Sequence, residues 1–128
     1  MRALVNAASD PPPALRALDG VHAKVMRRRA VATIFFRFSV SEPVRLEARL
    51  TPLRSKKPLA FLPSTSLAGA RMTTPGAVAT AAIRRAGTYL LAARLPSRKI
   101  VRGHTYLLRL TATDAAGLRR GLTIHVTG

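Results

Sequence analysis

The chain contains no cysteine and no tryptophan. The absence of cysteine excludes disulfides, thiolate metal sites and cysteine nucleophiles outright, but it does not fix the compartment. Acids are scarce: five Asp and Glu stand against 22 Lys and Arg, a formal net charge of +17. Aromatic residues make up 5% of the 128 residues. A core therefore has to rest on Leu, Val, Ile and Ala, with a few Phe and Tyr. Long apolar runs are missing, and no stretch approaches the roughly 20 residues of a membrane span. The start, Met1-Arg2-Ala3-Leu4-Val5-Asn6, holds one Arg and a three-residue apolar run. A secretory signal needs an apolar run of about 7–15 residues. No signal peptide is expected in this sequence, and an exported protein would carry it as a piece of something longer.

What remains is ordinary in hydrophobic content, at 48%. That is enough for the core of one small domain and argues against wholesale disorder. The charge is the unusual part. A field of this sign attracts nucleic acid, anionic headgroups and acidic glycans. Most of the basic residues are Arg, whose planar fork favours bidentate contact with phosphate or carboxylate.

The two-residue period is the main structural signal. Ile34, Phe36, Phe38 and Val40 share one face of a strand, with Phe35, Arg37 and Ser39 on the other. Ser41-Glu42-Pro43 forms a turn, because Pro43 presets its own backbone and restricts Glu42. Val44, Leu46, Ala48 and Leu50 then alternate with Arg45, Glu47 and Arg49, completing a hairpin. Near the end, Tyr89, Leu91, Ala93 and Leu95 mark one strand, and Tyr106, Leu108, Leu110 and Ala112 another. Leu122, Ile124 and Val126 mark the last. Between the final two, Asp114-Ala115-Ala116-Gly117 reads as a turn: the Asp side chain caps backbone and the Gly tolerates positive φ.

The rest is less regular. Residues 1–13 end in Asp10-Pro11-Pro12-Pro13 and read as a flexible lead-in, leaving 14–128 as the domain. Two short edge strands are expected near 14–18 and 21–26, separated by Asp19-Gly20, with Arg27-Arg28-Arg29 as a basic connection. Residues 51–86 are broken by Pro52, Pro58, Pro63 and Pro75. They predict loops with short strands near 59–62 and 77–83, the latter open to a helical turn because of its alanines. Short strands separated by turns point to an all-β fold of sandwich or barrel type.

The stretch Gly103-His104-Thr105-Tyr106-Leu107-Leu108-Arg109-Leu110-Thr111-Ala112-Thr113-Asp114-Ala115-Ala116-Gly117 resembles the last hairpin of bacterial immunoglobulin-like and fibronectin type III-like domains. Phe36-Arg37-Phe38-Ser39-Val40-Ser41-Glu42-Pro43-Val44 resembles their earlier hairpin, and Asp10-Pro11-Pro12-Pro13 their usual linker. The pattern departs where His104-Thr105 adds a residue before Tyr106, where Leu118 replaces the usual Asn, and in the long, Pro-rich 51–86. The resemblance implies an immunoglobulin-like antiparallel β-sandwich of about seven strands. It makes Tyr106 the candidate for a tyrosine corner, its hydroxyl bonded to nearby backbone. It also implies an extracellular or cell-surface setting, as a spacer or as the carrier of a neighbouring domain.

Catalytic signatures are missing. There is no G-x-S-x-G elbow, no phosphate loop and no dinucleotide fingerprint. His22, His104 and His125 are not spaced as a metal pair, and Asp10, Asp19, Glu42, Glu47 and Asp114 are scattered. No catalytic, cofactor-binding or metal-ligating residue is expected, and no cofactor. The functional expectation is a non-catalytic structural or adhesive module of a surface or secreted protein, monomeric, with a protein or glycan partner that the sequence does not identify. The alternative is a polyanion-binding protein, for nucleic acid or acidic glycan. It would use a patch of Arg27, Arg28, Arg29, Lys56, Lys57, Arg84, Arg85, Arg98, Lys99, Arg102, Arg119 and Arg120. Spread evenly, the same residues would only solvate the surface. Because the aromatics read as core, the stacking platforms of single-strand binders are not expected.

Overall fold

The computed structural model describes residues 12–74 and 76–128. Ten strands follow one another: β1 (Leu15–Ala17), β2 (His22–Arg28), β3 (Val31–Val40), β4 (Val44–Pro52), β5 (Ser66–Ala68), β6 (Met72–Thr73), β7 (Ala79–Ile83), β8 (Gly87–Pro96), β9 (Thr105–Thr113) and β10 (Arg119–Thr127). One 3-10 turn, Ser97–Lys99, is the only helical element among the described residues. No helix among them is long and apolar enough to cross a membrane.

The long strands form where the alternation predicts, and their apolar sets are the buried ones. Ala32, Ile34, Phe36, Phe38 and Val40 of β3 turn inward. So do Val44, Leu46, Ala48 and Leu50 of β4, and Tyr89, Leu91, Ala93 and Leu95 of β8. Tyr106, Leu108, Leu110 and Ala112 of β9 join Ile124 and Val126 of β10 in the same cluster. A fully buried Leu, Ile or Phe contributes about 1.5–3 kcal/mol. Slipping any of these strands by one residue would expose its entire set.

The strands form one hydrogen-bonded path in the order β5-β8-β3-β2-β10-β9-β4-β7-β6, with β1 pairing β3. Strand β2 joins its two halves. Residues 22–24 run parallel to 125–127 of β10, and residues 25–28 run antiparallel to 31–34 of β3. The other pairings are antiparallel. The two ends of the path, β5 and β6, are joined by residues 69–71, so the sheet curls back on itself and is nearly barrel-shaped.

The fold thus has ten strands where about seven were expected, and one of its pairings is parallel. The surplus is short: β5 and β6 span three residues and two, too few to display a period. The expected strand near 59–62 reduces to one bridge between Leu50 and Leu59. The 77–83 expectation resolves as strand β7, without a helical turn, because Ala79, Ala81 and Ile83 are buried at two-residue spacing beside β4. Pro13 is fully buried, and residues 1–11 of the expected lead-in lie outside the described residues.

The registers define two ends. Val40 lies opposite Leu15 and Gly87, Val44 opposite Ile83, and Thr113 opposite both Arg45 and Arg119. The turns 41–43, 84–86 and 114–118 therefore share a near end. Val31 lies opposite Arg28 and Pro96, and Tyr106 opposite Pro52 and Val126. Residues 29–30, 53–58 and 97–104 accordingly share the far end.

Candidate functional site

The registers divide the twelve candidate basic residues. Arg27, Arg28, Arg29, Lys56, Lys57, Arg98, Lys99 and Arg102 go to the far end, while Arg84, Arg85, Arg119 and Arg120 go to the near end. They do not form a single patch. The expected basic connection at 27–29 is also corrected: Arg27 and Arg28 continue β2, and only Arg29 lies in the turn, with φ 57.

Arg27 has a structural task. Its guanidinium donates to the Ser97 carbonyl at 3.1 Å, to Ser97 Oγ at 3.0 Å and to the Ile100 carbonyl at 2.6 Å. The fork ties β2 to the chain leaving β8, where the 3-10 turn leaves carbonyls without strand partners. In the same corner the Tyr106 hydroxyl accepts from the Val101 amide at 2.7 Å and donates to the Lys99 carbonyl at 3.4 Å. The Tyr106 ring is buried, so two side chains from different strands hold residues 97–101.

At the near end lies the main cavity, of about 840 Å³. Its wall begins at the turn linking β5 to β6, with Gly69, Ala70 and Arg71, and continues along Thr80, Ala81 and Ala82 of β7. Arg84, Arg85 and Tyr89 close one side, and Arg45 enters from β4, directly opposite Ala82. Local chemistry fixes this shape. The Tyr89 hydroxyl donates to the Arg85 carbonyl at 2.6 Å, pinning the 84–86 turn against the core. Gly69 passes over the same ring with φ 98, and a Cβ there would lie 2.9 Å from Tyr89 Cε1. A residue with a side chain would be strained in backbone and would meet the ring as well.

Among the described residues, four arginines and no carboxylate line this cavity. The guanidiniums of Arg45, Arg71, Arg84 and Arg85 make no ion pair or hydrogen bond among the described residues. Arg37 and Asp19, an ion pair at 2.8 Å, lie elsewhere. Arg84 and Arg85 were visible in the sequence as a basic pair. Arg45 and Arg71 were not, because one read as an outer strand position and the other fell among loops. Their neighbourhood depends on the β6–β7 pairing, which is local, and on the β4–β7 pairing, which joins Arg45 to Ala82 across the Pro-rich stretch.

The acids take local roles. Asp114 Oδ1 accepts from the amides of Ala116 at 3.0 Å and Leu118 at 2.9 Å, and Gly117 has φ 85. Both features match the turn expected there. Asp19 accepts two bonds from Arg37, each at 2.8 Å, and these, reinforced by the Arg37 charge, hold its carboxyl below the usual range. His22 and His125, far apart in sequence, face each other with ring centroids 5.5 Å apart across the parallel β2–β10 pair. No group of three or more His, Cys, Asp or Glu able to hold a metal occurs among the described residues.

No family model matches the chain, and no curated protein matches it. Among solved structures, it is similar to the N-terminal domain of PorA, with 12% identity over 90% of this chain and 96% of that one, at a TM-score of 0.49. It is also similar to a chain from the aggregative adherence fimbriae of enteroaggregative Escherichia coli, with 14% identity, coverage of 91% and 99%, and a TM-score of 0.42. A third similarity is to a GH20 exo-β-N-acetylglucosaminidase from Vibrio harveyi: 11% identity, 91% of this chain but 18% of that one, TM-score 0.34. With likenesses this distant, function has to be read from the chain's own residues.

Proposed function

We propose that this chain is a non-catalytic structural or adhesive β-module of a surface or secreted protein, placed in line between neighbours. The observation that carries the reading is the position of its two ends. The described chain enters at the near end, where the Ala14 amide donates to Ser41 Oγ at 2.8 Å. It leaves at the far end, where the Gly128 amide donates to the His104 carbonyl at 2.9 Å. A tension applied through the two termini runs along the strands. It loads the parallel pairing of 22–24 with 125–127 in shear, so its hydrogen bonds resist together rather than one by one.

The strand order supports an immunoglobulin-like reading. Strands β1, β3 and β8 pair in one group and β4, β9 and β10 in another, while β2 passes from one to the other. That grouping is compatible with the A-B-E against C-F-G division of such sandwiches, and the backbone bonds of the Tyr106 hydroxyl, near the start of the penultimate strand, suit a tyrosine corner. The additional short strands β5, β6 and β7 fill the Pro-rich interval between the two hairpins.

A second reading, polyanion binding, is favoured by one observation: eight of the twelve candidate basic residues gather at the far end. It predicts affinity that falls steeply with salt.

Single-molecule pulling of tandem copies tests the first reading. Each module should give one force peak and release about 370 Å of chain for residues 13–128, at about 3.5 Å per residue less the roughly 30 Å that the folded strands already span. Extension without a peak would remove the mechanical basis of the proposal.

A further inference from the structure

The near-end cavity has a composition that the fold alone does not require. Four arginines converge here. They come from three separate places: β4, the β5–β6 turn and two successive positions after β7. All four are exposed, and none has an ion-pair partner among the described residues. Between them the surface is small and smooth, formed by Gly69, Ala70, Ala81 and Ala82 with Thr73 and Thr80. At about 840 Å³ the space falls within the range of ligand sites.

We propose that this cavity binds an acidic glycan, a chain of sugars bearing sulfate or carboxylate groups. The arginines would take the oxyanions in bidentate contacts. The threonine hydroxyls suit sugar hydroxyls, and the alanine and glycine floor suits the C–H face of a pyranose ring. Single-stranded nucleic acid fits less well. Binders of that kind stack bases on aromatic faces, and the one aromatic among the described lining residues, Tyr89, is 7% exposed with its hydroxyl committed to Arg85. This inference rests on the reading of the chain as an interaction module and gives it a ligand class and an address.

Fluorescence anisotropy with a labelled heparin hexasaccharide, in about 150 mM salt, tests it on the whole chain. The double variant Arg71→Ser/Arg84→Ser changes two exposed residues outside the strands and should keep its melting temperature. It should bind at least tenfold more weakly. The far-end variant Arg98→Ser/Lys99→Ser should bind within twofold of the parent. A desulfated hexasaccharide should not bind, and a dodecamer of thymidylate should compete at least tenfold less well than unlabelled heparin. Loss confined to the far-end variant would overturn the cavity assignment while leaving an interaction module in place. Equal competition by the oligonucleotide would overturn the glycan assignment. Absence of binding to any acidic glycan would overturn the inference too, while the pulling experiment would still decide the in-line reading.

Discussion

Replacing Arg27 separates structure from charge most sharply. Arg27→Met removes one positive charge of the basic far end, and with it three hydrogen bonds to Ser97 and Ile100. Bonds from a charged donor are worth about 1.5–3 kcal/mol each when buried. Here the side chain is half-buried, so water replaces part of each bond, and the freed side chain regains up to about 2 kcal/mol of rotamer freedom. A net loss of about 2 kcal/mol follows, which for a domain of this size lowers Tm by roughly 6–10 °C. Arg28→Met removes the same charge from the neighbouring, exposed position. Its side chain has no partner among the described residues, so the change should stay within about 0.5 kcal/mol. Calorimetry of both variants at matched ionic strength gives the comparison. Amide exchange should also quicken at Ile100 and Val101 in Arg27→Met alone. If the two variants melt together, Arg27 is only another surface charge and the far-end corner is held by something else.

Three further outcomes follow from the same geometry. Tyr106→Phe should cost about 1–2 kcal/mol, because it leaves the Val101 amide and Lys99 carbonyl without their partner; urea unfolding measures it, and an unchanged midpoint would refute the corner. Gly69→Ala should destabilise by about 1–3 kcal/mol, since its Cβ would press on Tyr89 at a backbone angle that L residues avoid; a neutral result in thermal unfolding would mean that the turn rearranges freely. The Asp19 carboxyl is held low in the folded state. Its stabilising effect is therefore present above the unfolded carboxylate range and lost as pH falls through the folded value. The gap in Tm between parent and Asp19→Asn should accordingly close between about pH 5 and about pH 2, and a gap that persists in acid would contradict the ion pair.

How far the sequence could be read depended on element length. In β3, β4, β8 and β9 four or more apolar side chains recur at alternate positions, and a two-residue period sustained that long has one plausible geometry. The Asp114 turn was equally legible, because its chemistry is contained within five residues. Strands β5 and β6 were not legible: two or three residues carry no period, and they form only because β8 and β7 offer them partners. The parallel step of β2 onto β10 was hidden for a similar reason. It depends on a strand changing partners midway, and nothing in His22-Ala23-Lys24 announces that. The cavity lay further out of reach, since Arg45 and Arg71 became neighbours of Arg84 only through pairings that the Pro-rich stretch conceals. Arg27 shows the opposite limit, a residue that a charge run assigns to the solvent and the fold uses as a tie.

If the chain bears load along its strands, from the near end to the far end, the direction of pulling decides the force. With no native cysteine, handles can be placed singly. The most direct measurement compares pulling through the two termini with pulling between a cysteine at His104 and residue 128. The second geometry holds β9 and β10 at the same end and opens their antiparallel pairing bond by bond. Load borne along the strands requires a distinctly higher rupture force through the termini at the same loading rate. Equal forces, or a weaker terminal pull, would contradict it.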